Sequence, residues 1–306
     1  MTDDKPQVAA VNTDAQDSQR TSNDNERIKV RKDKQSNDGK DKYIERSEKR
    51  IKRLKGVFWK TVFAAKRAVY PEDVTCDCCG EELTASSRYR LCGECISKLP
   101  TVQEHICLVC GTPILDEADY CNRCQQSEYK FLRNRAPLVY DGIAKDMLYK
   151  LKFGGKRYIA KTLGAMMADE FLKRNMQADI AVYVPMTHDE EKKRGFNQSE
   201  LLAREVGERL NMPVLPALVK TRDTAAQKQL TRKEREENLK GAFSCVFDEV
   251  KGRKTLLIDD VFTTGATANA CGAALIKGGA REVSVLTAAV TKLKIPVESN
   301  DGTTEI

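Results

Sequence analysis

The sequence contains no apolar run that approaches the roughly 20 residues required to span a bilayer. Its first ten residues, MTDDKPQVAA, also lack the basic start and the apolar core of a signal peptide. These absences argue against a membrane-spanning or exported protein. We therefore expect a cytoplasmic protein without a transmembrane segment, and we interpret its cysteines as thiols in a reducing compartment.

Aromatic residues are also missing from residues 1–42, which are rich in Asp, Asn, Gln, Ser and Lys. Such a segment buries too little apolar area to offset the entropy that is lost on ordering. We expect a disordered polar tail over residues 1–42 and a frayed tail over residues 295–306. The globular part of the chain should lie between them.

Residues 43–71 carry the excess of positive charge. Eleven Lys or Arg stand against three Asp or Glu in residues 40–70, a local net charge of +8 in a chain whose net charge is +7. Apolar residues recur there at spacings of three and four, namely Ile51, Leu54, Phe58, Val62, Ala65 and Val69. This pattern predicts a basic amphipathic helix. The helix can dock on the neighbouring module, contact phosphates of single-stranded DNA, or lie peripherally on an anionic membrane.

Eight of the eleven cysteines form four C-x2-C pairs within residues 72–130. Two residues between thiolates let a tight turn direct both at one tetrahedral ion, and four thiolates leave no coordination position for water. We predict a double zinc ribbon with two structural zinc ions, whose ligands are Cys76, Cys79, Cys92, Cys95, Cys107, Cys110, Cys121 and Cys124. A cross-braced pairing and a competing role of Cys78 stay open. Cys245 and Cys271 are expected to be small core residues.

Residues 131–294 have the composition of an ordinary globular domain, with alternating helical and strand patterns. Helices are predicted at 143–151, 158–173, 198–210 and 267–277, and strands at 179–185, 255–259 and 282–290. The charged segment 220–240 separates two of them. Alternation of this kind predicts an α/β domain with a mostly parallel sheet and helices on both faces.

The segment TLLIDDVFTTGAT, residues 255–267, joins an apolar strand to a helix through two acids and a loop of small hydroxyl residues. We expect Asp259 and Asp260 to end the strand at the carboxyl edge of the sheet, where open α/β folds bind ligands. Backbone N–H groups, threonine hydroxyls and the helix dipole favour a phosphate in the loop. The predicted loop ligands are Thr263, Thr264, Gly265, Ala266 and Thr267. Carboxylates suit vicinal hydroxyls, so phosphate and diol together indicate a ribose phosphate.

The same loop resembles the phosphoribosyl diphosphate signature of type I phosphoribosyltransferases. Over residues 76–290 the chain resembles the competence protein F (ComF) family, which is also described as amidophosphoribosyltransferase-like. Six motifs carry this resemblance after the paired cysteines: LKFGGK (151–156), VP (184–185), RGFNQ (194–198), RDTAAQ (222–227), RKEREENLKGAF (232–243) and DDVFTTGAT (259–267).

The resemblance implies a phosphoribosyltransferase-like fold with a smaller hood, and a site for phosphoribosyl diphosphate with Mg²⁺. It implies that Asp259 and Asp260 bind the ribose hydroxyls and that Lys193 and Arg194 bind the pyrophosphate. It also implies that segment 220–238 is mobile and closes over the site. One departure is the sequence THDEEKK after the VP pair, where relatives commonly carry basic residues. We interpret this stretch as a charged loop whose acids repel pyrophosphate unless magnesium intervenes.

Two functions are compatible with these patterns. The first is a ComF-like protein that binds phosphoribosyl diphosphate or a related ribose phosphate and acts in DNA uptake or handling during natural competence, with single-stranded DNA and the competence machinery as partners. The second is an active phosphoribosyltransferase, a glycosyltransferase of nucleotide metabolism unrelated to DNA.

Overall fold

The computed structural model describes residues 75–84, 87–114, 117–222 and 232–293. All of these belong to one compact unit, Tyr70–Ile306. The predicted tail 1–42, the predicted helix 43–71 and the tail 295–306 lie outside the described residues, as does part of the segment expected to be mobile.

The secondary structure follows the predicted alternation. The strands are β1 (Asn134–Arg135), β2 (Leu138–Val139), β3 (Ile180–Tyr183), β4 (Val214–Leu215), β5 (Leu218–Lys220), β6 (Phe243–Cys245), β7 (Lys254–Phe262) and β8 (Glu282–Val290). The helices are α1 (Gly93–Ser97), α2 (Asn122–Gln125), α3 (Gly142–Phe153), α4 (Ile159–Lys173), α5 (His188–Arg194), α6 (Gln198–Leu210), α7 (Arg232–Leu239) and α8 (Ala266–Lys277). A short 3-10 helix spans Asp248–Val250.

Six strands form one sheet in the order β1-β8-β7-β3-β4, with β2 also paired to β8, and all of these pairings are parallel. Strands β5 and β6 form a separate antiparallel pair. The long strands β7 and β8 are apolar and almost entirely buried, as expected for a parallel sheet that is covered on both faces.

Successive residues of β7 point into two different cores because side chains alternate across a strand. Leu256 and Ile258 pack with α3, α4 and α6 on one face. Leu257 packs on the other face with α8, β5, β6 and the cysteines of residues 107–124. The predicted α/β architecture with helices on both faces, preceded by a cysteine module, is thus confirmed. Cys271 is fully buried in α8 as predicted, and Cys245 lies partly buried in β6.

Two local predictions were wrong. The strand does not end at the acid pair, because β7 continues its pairing with β8 through Phe262. The stretch after Pro185 is a helix and not a charged loop. Thr187 accepts a hydrogen bond from the backbone of Glu190, and the Glu190 carboxylate accepts one from the backbone of Thr187, which forms a capping box that starts α5. Gly195 ends the helix in the left-handed conformation, at φ 81°.

Candidate functional site and metal centres

The acid pair lies at a step in the sheet edge. Strand β3 pairs with β7 only as far as Ile258, whereas β8 continues beside β7 to Phe262. Asp259 and Asp260 therefore come directly after the last residue of β7 that β3 covers. Asp260 is buried, with 4% of its surface exposed, and Asp259 is partly exposed. The predicted position at the carboxyl edge is retained, although the strand is longer than expected.

Two side chains from the helical layer hold these acids. Lys152 at the end of α3 places Nζ 2.7 Å from Oδ2 of Asp260. Ser199 in the first turn of α6 donates its hydroxyl to Oδ1 of Asp259 over 2.9 Å. Sequence analysis did not assign a role to either residue. The available signal was their position within or beside the LKFGGK and RGFNQ motifs.

The electrostatics differ between the two acids. Burial, followed by repulsion from Asp260, raises the pKa of Asp259 to about 7. Burial acts to lower the pKa of Lys152, but attraction to Asp260 outweighs it and raises that pKa on balance. The site therefore holds the Lys152–Asp260 ion pair beside Asp259, a carboxyl group that changes its protonation state near neutral pH.

The loop after β7 is shaped by a glycine. Gly265 precedes α8 at φ 85°, and a Cβ added there would lie 2.8 Å from Cζ of Phe262, so both conformation and space require glycine. The hydroxyl of Thr264 accepts a hydrogen bond from the backbone of Ala266 at 3.3 Å. Thr263, Thr264 and Gly265 lie in the loop between the end of β7 and α8, and Ala266 and Thr267 begin α8.

The loop is also held by hydrogen bonds from the second cysteine module, residues 107–124, and from the segment that follows it. Arg123, which lies in α2, donates to the carbonyl oxygen of Thr263 over 2.6 Å. Tyr129 donates to the carbonyl oxygen of Thr264 over 3.2 Å. Arg123 sits between the cluster residues Cys121 and Cys124 in the sequence, so it connects the metal centre directly to the loop. This contact was not foreseen from the sequence.

The eight paired cysteines form two clusters. One contains Cys76, Cys79, Cys92 and Cys95, the other contains Cys107, Cys110, Cys121 and Cys124, and in each the four sulfurs lie within 4.8 Å of one another. Consecutive pairs thus share a cluster, which excludes the cross-braced alternative. Sulfurs bound to a tetrahedral zinc at about 2.3 Å lie about 3.8 Å apart. The measured separations are 3.6 Å for Cys79–Cys92 and 3.7 Å for Cys110–Cys121, so the clusters fit two structural zinc ions.

The first cluster, residues 76–95, is joined to helix α4. Thr162 of α4 donates its hydroxyl to Asp77 over 2.5 Å, and the Tyr89 hydroxyl donates to Asp169 over 2.5 Å. Cys79 of this cluster is exposed and Cys92 is partly exposed. A cavity of about 560 Å³ opens between Tyr89 and α4.

All four cysteines of the second cluster, which spans residues 107–124, are buried. The side chain of Asn134, in β1, donates to the carbonyl oxygen of Cys110 over 2.9 Å. A Cβ added at Gly111, whose φ is 72°, would lie 2.6 Å from the carbonyl oxygen of Asn134. The second ribbon thus packs against the sheet itself.

The predicted pyrophosphate ligands lie on α5. Lys193 is exposed, whereas Arg194 donates to the side chain of Gln198 over 2.7 Å and lies over the ring of Phe153. One of the acids in the THDEEKK stretch, Glu190, forms an ion pair with Lys220 at 2.8 Å. Attraction to Lys220 and the capping bonds outweigh burial and lower the pKa of Glu190.

Comparisons with known proteins match both the cysteine module and the α/β domain. A family model described as "Double zinc ribbon domain" matches residues 65–125. Competence protein F of Haemophilus influenzae is 30% identical over 64% of this chain and 88% of that protein. Competence protein ComFC of Bacillus subtilis is 31% identical over 65% of this chain and 83% of that protein. DNA utilization protein YhgH of Escherichia coli is 30% identical over 66% of this chain and 90% of that protein.

Solved structures give weaker similarities. Glutamine phosphoribosylpyrophosphate amidotransferase of B. subtilis is 25% identical, with a TM-score of 0.32 over 44% of this chain and 26% of that chain. TT1426 of Thermus thermophilus is 17% identical, with a TM-score of 0.28 over 45% of this chain and 84% of that chain. Among the helices that the structure describes, none has the length and apolarity to cross a membrane.

The fold and the clusters define a parallel α/β protein that carries a double zinc ribbon. Given its identity to the competence proteins over most of their length, this chain belongs to the competence protein F (ComF) family.

Proposed function

We propose that this protein binds a ribose phosphate, with phosphoribosyl diphosphate and Mg²⁺ as the preferred form, and acts in DNA handling during natural competence. The main support for this ligand is that two carboxylates and a hydroxyl-rich loop follow each other at the sheet edge, where β3 ends and β7 continues. The names of the relatives, which refer to competence and to DNA utilization, support the biological role.

The chain's own groups divide the ligand between them. Asp259 and Asp260 accept hydrogen bonds from the two ribose hydroxyls, and the loop from Thr263 to Thr267 receives the 5-phosphate. Lys193 and Arg194 on α5 are the proposed contacts of the pyrophosphate. Lys152 pairs with Asp260 at 2.7 Å, and Ser199 fixes the rotamer of Asp259 at 2.9 Å. A bound Mg²⁺ supplies charge neutralisation for the pyrophosphate.

Calorimetry with phosphoribosyl diphosphate and Mg²⁺ tests the ligand. We expect saturable binding by the wild type and much weaker binding by Asp259→Asn. Ribose 5-phosphate and 2-deoxyribose 5-phosphate, which differ only in one hydroxyl of the diol, serve as the control pair, and the deoxy sugar should bind more weakly. Equal affinity for both sugar phosphates would contradict the assignment of the acids to the ribose hydroxyls.

A second function, transfer of the ribosyl phosphate to an acceptor, is favoured by one observation. Asp259 has its pKa raised to about 7, which is the range in which a carboxyl group accepts and returns protons efficiently. Release of pyrophosphate in the presence of amines or nucleobases would establish turnover. Binding without release would leave the protein as a ribose-phosphate sensor.

A further inference from the structure

An exposed aromatic and basic surface lies beside the acid pair, and its aromatic rings have no part in the site described above. The sequence YKLKFGGKRY, residues 149–158, contains three aromatic and four basic residues but no acid. Residues 153–158 are all exposed. Tyr149 has 62%, Phe153 has 55% and Tyr158 has 42% of its surface exposed. Large exposed aromatic side chains in one short segment point to a binding role.

The geometry of this surface combines ring stacking with cations. The rings of Tyr149 and Phe153 are one turn apart on α3, and their centroids are 5.1 Å from each other. Arg194, which comes from α5, lies 5.3 Å from the centroid of Phe153. We call these three side chains the aromatic platform.

Two further contacts hold the segment that carries the platform, one to the end of α5 and one to the acid pair. Arg157 lies 4.6 Å from the centroid of Phe196 and donates to the carbonyl oxygen of Gly195 over 2.9 Å. The loop after α3 and the end of α5 are therefore held together. Lys152, one residue before Phe153, makes the ion pair with Asp260, so the platform adjoins the candidate ribose-phosphate site.

Charge around the platform is mainly positive. Lys156, Lys192 and Lys193 are exposed close to it in the sequence. Asp146, one turn before Tyr149 on α3, is the exposed acid on the same helix. Glu190 at the start of α5 is engaged by Lys220. Two rings tilted by 48° thus lie near exposed lysines. The remaining acids of α5, Asp189 and Glu191, lie in its first turn, whereas Lys192 and Lys193 lie in its last turn.

We propose that the aromatic platform binds single-stranded DNA, with bases stacked on Phe153 and Tyr149 and phosphates near Lys156, Lys192 and Lys193. Single-strand binding surfaces combine exposed aromatic rings with cations that follow the backbone. Two rings framed by cations offer little continuous apolar area to a protein partner. The proposal rests on the DNA-handling role proposed above. It assigns that role to a surface that shares Lys193 and Arg194 with the proposed pyrophosphate contacts, but whose aromatic rings have no role in the ribose-phosphate site.

The test uses the full-length zinc-loaded protein and fluorescence anisotropy with a labelled 15-nucleotide oligo(dT). We expect Phe153→Ala to weaken binding about tenfold and Tyr149→Ala to weaken it by a smaller factor. Phe153→Trp should retain wild-type affinity, whereas Phe153→Leu should behave as the alanine variant, because leucine keeps apolar surface but cannot stack. Leu172→Ala removes an equally exposed apolar side chain from α4 and should change nothing.

Salt dependence separates stacking from charge. Lys156→Gln should lower the slope of log affinity against log salt by about 0.7, since one phosphate contact on a single strand is lost. Phe153→Ala should weaken binding at every salt concentration and leave the slope unchanged. Zinc content and the thermal midpoint of each variant establish that it is folded.

Several outcomes would overturn the proposal. Wild-type protein that does not bind oligo(dT) would do so, as would Phe153→Leu binding that equals the wild type. A change in oligomeric state without a change in DNA affinity would assign the platform to a contact between copies of this chain. Phosphoribosyl diphosphate binding, measured in parallel with Tyr149→Ala, should be unaffected; it reports separately whether the proposed ribose-phosphate function holds.

Discussion

The two zinc ribbons share one spacing motif but occupy different environments. The ribbon at residues 76–95 has an exposed Cys79 and is joined to α4 through Asp77 and Tyr89. The ribbon at residues 107–124 has all four paired cysteines buried and holds the loop after β7 through Arg123. The comparison shows that the same cysteine motif folds each ribbon locally, whereas the contacts of each ribbon determine which part of the domain it supports. The second ribbon is part of the candidate site, and the first is joined to the helical layer.

Loss of one zinc ligand should have the largest effect, and its effect on ligand affinity should differ most between the two ribbons. Cys110→Ser removes a buried thiolate and leaves a polar hydroxyl in its place, so we expect loss of one zinc, a marked drop in the thermal midpoint and loss of phosphoribosyl diphosphate binding. Cys79→Ser, at an exposed position where water can replace the thiolate, should weaken zinc binding and leave ligand affinity nearly intact. Elemental analysis and calorimetry measure both effects. Equal loss of ligand affinity in the two variants would remove the distinction between the ribbons.

Replacement of the acid pair should affect the ligand without affecting either ribbon. Each hydrogen bond to a charged group contributes about 1.5–3 kcal/mol, so Asp259→Asn with Asp260→Asn should weaken phosphoribosyl diphosphate binding about 100-fold. The same double variant should lose some stability, because Lys152 keeps its charge without its partner. Two zinc ions per chain should remain. A fall in zinc content would mean that the edge of the sheet supports the ribbons, the reverse of the dependence inferred here.

The ribbons and the main elements were predictable because their determinants are close in the sequence. Only 12 residues separate Cys79 from Cys92 and ten separate Cys110 from Cys121, so the spacing indicates two four-thiolate sites. The structure then selects the consecutive pairing over the cross-braced one. Apolar periodicity likewise predicted helix α6 as residues 198–210. The short helix α5 was missed because its start depends on a capping box within a charged stretch, which has no apolar periodicity to reveal it.

The supports of the site were not predictable because they depend on tertiary contacts. Ser199 meets Asp259 across 60 residues, and Arg123 meets Thr263 across 140 residues. A single lysine, serine or arginine at a helix end has many compatible roles, and only the fold selects one. The loop itself was predicted, since strand, acids, hydroxyl residues and helix are contiguous.

The contact between the second ribbon and the loop should have an intermediate effect. Arg123→Gln removes the bond from the guanidinium to the carbonyl oxygen of Thr263, and the loop then loses one of its anchors. We expect about a tenfold loss of phosphoribosyl diphosphate affinity with both zinc ions retained. Arg88→Gln, which breaks the exposed pair with Asp169 beside the first ribbon, is the matched control. An effect of Arg88→Gln as large as that of Arg123→Gln would show that both ribbons act on the site.

The smallest expected effect concerns pH and distinguishes the sheet edge from both ribbons. Asp259 has its pKa raised from 3.8 to about 7, so between these values the folded protein binds more protons than the unfolded chain. The free energy of unfolding must therefore fall as pH rises through this window, by about 1 kcal/mol between pH 6 and pH 7. Asp259→Asn removes this dependence and should gain stability relative to the wild type as pH rises. Thiolate protonation weakens zinc binding at low pH in both proteins. It cancels in the difference between their denaturation curves, and a difference that stays constant from pH 5 to pH 8 would show that Asp259 is ionised throughout.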